Sequence, residues 1–498
     1  MKNSVFSLEC DEHGNEIDRL TISKNYEGLK TYLNHVTDFA ASHDSFEYAP
    51  IFYYLGTGYG TLSDYRQVEN ETQKDSQAIE YRKLSLYYMR KALSFLENTI
   101  GEQTLLLALY TNYANQLEVC GRVIEALRIY RKAIALYPNF GMALGNYGQT
   151  LNHYAILAND PGHKEILHYY AYHSLKQALR IPDPNVYKEA ANHFKMLVRE
   201  YEPLVEEYDL ESPIAFSEYD LGETEEKEYR LWCLKNHLFL NPLNDLVEEM
   251  SSFAHDPLTI THYTEMTERD DVADRDAASP PKWFSMLNQL KEEYIYSRFL
   301  FYEGSEKGGE LHYGDKQVAL SLTGDSHVAY SMRIEQLKSA FKNLYSIFDQ
   351  IAFVINEFWM LGFSERQASA SKVFDSENYP VDNSALTALY WSHCEFSEKF
   401  GNAEKASERD LKVLRDALEH KFVKVYTSLE DGKLQKTMDN FYHISEEEMK
   451  KLTHRLLELA REWIMELVYA IGIEEKKTDQ NKIKLSMYIR DYDDEWKV

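Results

Sequence analysis

The chain has 498 residues, enough for two to four domains with ample core. It is 44% apolar, yet its longest apolar stretches, residues 351–355 and 464–473, are too short or too interrupted to span a bilayer, so no membrane role is expected. A formal charge of −27 argues against broad, non-specific adhesion to nucleic acid, which depends on neutralising phosphates, and leaves room only for a local site. The first residues, Met1-Lys2-Asn3-Ser4-Val5-Phe6, lack the apolar core of a signal peptide. Cys10, Cys120, Cys233 and Cys394 are scattered with no C-x2-C pair, which reads as free cytosolic thiols rather than disulfides or a zinc site. A cytoplasmic protein is the expectation.

Residues 1–29 form a polar N-terminal segment with a turn at Asp11-Glu12-His13-Gly14-Asn15. Residues 30–205 read as stacked helical hairpins. In the clearest copy Tyr110, Tyr113, Ala114 and Leu117 mark one helix, Ala126, Tyr130 and Ala133 the next, Gly121 serves the turn and Pro138 ends the unit. The small residues let paired helices approach, and the offsets match the 34-residue tetratricopeptide (TPR) pattern. A second copy starts 34 residues on with Leu144, Tyr147, Gly148 and Leu151; its second helix, around Ala171, Leu175 and Ala178, is delayed by an insertion holding Asn159-Asp160-Pro161-Gly162. A degenerate copy precedes both, from Phe52 to Ala92 around a long polar loop, and a helix over residues 185–200 caps the array. Such a TPR-like solenoid presents a concave surface for a protein or peptide partner, or serves as a rigid arm.

Residues 206–325 connect the halves. They begin with an acidic stretch and continue with a short helix stopped at Asn241-Pro242. A polar loop follows whose His255, His262, Asp270 and Asp271 lack metal-ligand spacing. A long helix over 283–302 and a glycine-rich stretch with a short alternating run at 318–322 complete the connection. Residues 326–476 then read as a helical bundle. Its first helix, 334–361, buries Leu337, Phe341, Leu344, Phe348 and Ile351, with Asp349 inside that stripe. A carboxylate so placed needs a partner; it either orients a neighbouring Arg or His or caps an adjacent helix. The second helix, 384–400, carries His393, read as a core histidine. The last helix starts at Ser445, with Glu448 three residues on in a capping-box arrangement. Residues 477–498 are a charged tail.

Between these lies the stretch with the most chemistry. Leu411, Leu414, Leu418, Phe422 and Tyr426 recur at spacings of three and four across 404–426, predicting one amphipathic helix. On it Arg415 and His420 project about 140° apart, on neighbouring faces. An imidazole moves protons near neutral pH, and a guanidinium holds phosphate oxygens. The alternative is a solvated helix face whose His420 caps or pairs locally. From Lys405 to Lys424 basic residues outnumber acids, against the trend of the chain.

Arg415-Asp416 followed, after three intervening residues, by His420, on a late helix, resembles the signature of the HEPN superfamily of helical ribonucleases and nucleotide-binding domains. The likeness extends over Tyr229–Asn236 and Leu240–Asp245, through Leu290–Arg298 and Leu337–Asp349, to Leu414–His420. The implied fold class is all-α: a TPR-like helical-hairpin solenoid followed by a HEPN-type bundle. The resemblance implies a metal-independent, cofactor-free endoribonuclease acting on RNA, with Arg415 and His420 from two copies meeting in a homodimer. Asp416 would tether Arg415 or His420, Asp349 and Glu419 are candidate supports, and a toxin or phage-defence role with the repeats sensing a partner follows. The alternative is a non-catalytic TPR scaffold or regulator whose bundle serves dimerisation or nucleotide binding.

Overall fold

The computed structural model describes residues 6–70, 75–97, 103–182, 185–207, 220–264, 281–307, 312–317, 328–380, 382–396, 408–427, 440–477 and 483–486. The acidic run at 208–219, Asp270 and Asp271, the alternating run at 318–322, the start of the motif helix at Glu404 and the tail beyond 486 lie outside the described residues. The protein is all-α, with only two two-stranded ribbons among the described residues. No described helix is long and apolar enough to cross a membrane. The chain divides into two compact units, residues 1–215 with 387–409, and residues 216–386 with 410–498.

The first unit holds α1 (Leu8–Ile22), α2 (Tyr26–Ser42), α3 (Ala49–Asn70), α4 (Ser76–Leu96), α5 (Gln103–Val119), α6 (Val123–Leu136), α7 (Gly141–Leu157), α8 (Pro161–Leu179) and α9 (Lys188–Glu207). Consecutive helices pack as hairpins, α3 on α4, α5 on α6 and α7 on α8, and α9 closes against α8. Ala114, Ala126 and Ala133 are fully buried at the α5–α6 seam. Gly121 takes φ +75°, and the Arg122 N–H reaches back to the Leu117 carbonyl at 3.0 Å, a glycine-closed helix end. Two expectations are corrected. The turn read at residues 11–15 is helix, because Gly14 lies against the Tyr54 ring, where a Cβ would approach to 2.3 Å. The insertion read at Asn159-Asp160-Pro161-Gly162 does not delay the helix, which already begins at Pro161: Asp160 caps the His163 N–H at 2.9 Å and Pro161 takes the first turn.

In the second segment of this unit, the described residues Glu395 and Glu408 are held by buried charge. Arg90 makes a two-point contact with Glu395 (2.8 and 2.9 Å) and reaches Glu408 at 3.0 Å and Glu125 at 3.2 Å. Arg122 pairs with both Glu125 and Glu395. Burial pushes the Glu395 carboxyl up, but Arg122 and Arg90 outweigh it and hold it below its ordinary range.

The second unit holds α10 (Thr224–Lys235), β1 (Thr261–Thr264), α11 (Lys282–Ser305), α12 (Met332–Phe358), α13 (Ala370–Phe374), the start of α14 (Ser384–Phe396), α15 (Arg409–His420) from Asp410 onward, β2 (Phe422–Tyr426), β3 (Phe441–Ser445), α16 (Glu446–Lys477) and β4 (Ile483–Ser486). β1 pairs antiparallel with β4, and β2 runs parallel to β3 with Phe422 opposite Phe441. α11, α12 and α16 pack together, with Trp463 of α16 against Phe348 of α12. Buried Arg461 clamps Asp245 at 2.9 and 3.0 Å and donates to the carbonyls of Phe239 and Asn241. Buried Arg298 likewise clamps Asp256 and donates to the Leu238 carbonyl and the Tyr229 hydroxyl. These two arginines explain why residues 236–256 hold their irregular path: buried charge and carbonyls are satisfied together.

Ser445 caps α16 through the Glu448 N–H at 3.0 Å, as the capping-box reading expects. Beside it Glu446 accepts from Arg333 at 2.6 and 2.8 Å, which, with Lys450, brings its carboxyl down to about 2. The folded pKa lies below the unfolded value of about 4.3, so this contribution to stability is complete above the unfolded pKa and is lost as pH falls toward 2. Glu446→Gln is therefore expected to melt below the wild type at pH 7, with the gap narrowing between about pH 4.5 and 2. A gap independent of pH in thermal melts would contradict this.

Candidate functional site

α15 carries the site. Leu411, Leu414, Ala417 and Leu418 are buried and fix its rotation. Asp410 in the first turn and His420 in the last place charge where the helix dipole favours it. The helix is shorter than its periodicity suggests. It stops at His420, and Phe422-Val423-Lys424-Val425-Tyr426 continues as β2, paired with β3. His420 is thus a helix-terminal residue, exposed like Glu419 before it.

Arg415 is partly exposed, with 38% of its side chain accessible. Its Nη1 donates to Asp416 Oδ1 at 3.0 Å, and its guanidinium carbon lies 5.5 Å from the centre of the Tyr345 ring. Burial works against the Arg415 charge, but the Asp416 hydrogen bond and the fields of Tyr345, Asp416 and Asp349 outweigh it and hold its pKa above the ordinary value. Burial in turn pushes the Tyr345 hydroxyl up to about 12, with Arg415 opposing and the two aspartates adding to the shift, so the ring stays neutral beneath a permanent cation. Asp349 Oδ1 accepts the Ala370 N–H at 3.3 Å, capping α13 while remaining in the field of Arg415. Of the two roles open to this carboxylate at the sequence level, the helix-end contact is the one made by a hydrogen bond.

The structure brings Arg415, Asp416, Tyr345 and Asp349 together; Glu419 and His420 stand at the exposed end of the same helix. Asp416 engages Arg415. His393 is buried, as expected of a core histidine. Sequence reasoning missed Tyr345. Its signal was the α12 register: Tyr345 and Asp349 are four residues apart and share one face. Among the described residues no group of three or more His, Cys, Asp or Glu is arranged to hold a metal.

A braced cation and an exposed imidazole on one helix can together bind an anionic group and transfer a proton. Residues 275–474 match a protein-family model described as LA2681-like HEPN, and this span contains α11 to α15, all but the last three residues of α16, and the whole site. It also contains residues 387–409, the segment held in the first unit. Searches of curated proteins and of solved structures gave no match.

Proposed function

We propose that this chain is a metal-independent endoribonuclease with Arg415 and His420 as its catalytic pair. The observation that carries the reading is Arg415 itself: half-exposed, permanently charged, and set by Asp416 and Tyr345 on the helix that ends in exposed His420. RNA supplies its own nucleophile. The ribose 2′-oxygen attacks the adjacent phosphorus, the P–O5′ bond breaks, and the products end in a 2′,3′-cyclic phosphate and a 5′-hydroxyl. His420 takes the 2′-hydroxyl proton or protonates the departing 5′-oxygen. Arg415 offsets the charge that builds on the phosphate oxygens.

Acid and base are both needed, and one exposed His420 per chain supplies one proton-transfer group. A homodimer that apposes two copies of α15 would supply both, and the open end of the helix leaves room for it. The family match over 275–474 supports the same reading, as does the sequence resemblance to helical ribonucleases. The hairpin array of the first unit would serve as the TPR-like surface that senses a protein or peptide partner, making the chain a regulated toxin or phage-defence effector. The test is incubation of purified protein with labelled tRNA and mRNA in EDTA. Fragments with cyclic-phosphate ends are expected; cleavage that appears only when a divalent cation is added back would overturn the mechanism.

A further inference from the structure

A groove of about 360 Å³ opens where α15 ends. Lys338 and Lys342 of α12 line it together with Lys421, which precedes β2, and with Phe422, Lys424 and Phe441 of the β2–β3 ribbon. Glu335, which pairs with Lys338 at 2.8 Å, is the one acid among its lining residues. Four lysines against one carboxylate reverse, locally, the sign of a chain that carries −27 overall. The aromatic residues are unusual in being open to solvent. Phe422 is 70% exposed and Phe441 37%, their ring centres 5.7 Å apart. Isolated exposed apolar side chains are common, but two adjacent rings flanked by cations form a stacking platform beside phosphate-binding charge.

The groove and the candidate catalytic arginine are joined by shared helix faces. Lys338, Lys342 and Tyr345 stand at i, i+4 and i+7 on α12, one stripe about 10 Å long. That stripe runs from the groove to the ring that Arg415 covers. Leu418 lines the groove one turn beyond Arg415, and Lys421 and Phe422 follow His420 directly in the chain. A strand whose phosphate sat at Arg415 would find the lysine row next along its path.

We propose that this groove is the subsite for single-stranded RNA beside the scissile phosphate, an inference that rests on the ribonuclease reading. Lys342 and Lys421 take backbone phosphates, Lys424 lies over the Phe441 ring at 4.3 Å, and Phe422, with Phe441 beside it, stacks an unpaired base. A paired base has no face to offer them, so duplex RNA binds more weakly.

The test uses the full chain carrying His420→Ala, in EDTA, with a fluorescently labelled 12-nucleotide single-stranded RNA read by anisotropy. Adding Lys342→Gln with Lys421→Gln should weaken binding about 25-fold at 0.1 M salt. It should also lower the magnitude of the log–log salt slope by about 1.4, two phosphate contacts at about 0.7 each. Phe422→Ala should weaken binding by roughly tenfold without changing that slope. All three residues are exposed, so melting temperatures should hold. Equal affinity across the variants, or no binding by the parent, overturns the proposal. Its failure is separable from that of the nuclease reading. Groove-dependent binding by a wild type that never cleaves would leave the groove and remove the nuclease. Cleavage whose KM ignores the groove substitutions would do the reverse.

Discussion

Arg415→Ala should lower RNA cleavage by at least about a hundredfold, and Arg415→Lys should recover little of it. A lysine carries the charge but not the planar fork, and it cannot at once bond Asp416, lie over Tyr345 and present donors to a phosphate. Because the side chain is partly exposed, neither change should move the melting temperature by more than a few degrees. Single-turnover cleavage beside thermal melts separates the two effects. Full activity in Arg415→Lys would show that a point charge suffices and that the bracing geometry is incidental.

The largest stability effect is expected at Arg122. It is 1% exposed and pairs with Glu125 and Glu395, while Arg90 serves Glu395, Glu408 and Glu125. Arg122→Met removes one of three guanidinium groups, the third being Arg128 at 3.4 Å from Glu125, from three buried carboxylates, a loss of about 3–5 kcal/mol. That corresponds to a fall of about 10 °C in melting temperature for a unit of this size. The unbalanced carboxylates become easier to protonate, so the cost should shrink as pH is lowered from 7 to 5. Adding Glu395→Gln should restore part of the loss, a coupling a double-mutant cycle reads directly. A cost below about 1 kcal/mol, or one equal at both pH values, would show the cluster to be solvated.

How far the sequence discloses this arrangement differs by element. Leu411, Leu414 and Leu418 announce α15 and its buried face directly. Phe422 and Tyr426 extend the same spacing yet belong to a strand, since a separation of four fits both a helical turn and two strand repeats. Length could not decide between them; the pairing partner Phe441–Ser445 did, and it lies across a gap that no local pattern spans. The helix α1 was hidden for a related reason: Gly14 in a polar run signals a turn until Tyr54 is known to occupy the space beside it. The Arg122 cluster was invisible because Glu395 lies 273 residues away. The resemblance residues Asn241, Asp245 and Arg298 prove to be buried scaffold with half-buried Tyr229 beside them, whereas in the groove the sequence showed only the local basic excess that includes Lys421 and Lys424, and it placed exposed Phe422 in a buried helical stripe.

The most direct measurement is cleavage of labelled RNA in EDTA by the wild type and by His420→Ala, purified side by side, with the product ends identified. The account predicts fragments ending in 2′,3′-cyclic phosphate from the wild type and at least a hundredfold less from the variant. Equal cleavage by the two proteins would contradict it, placing the activity at another site or in another protein.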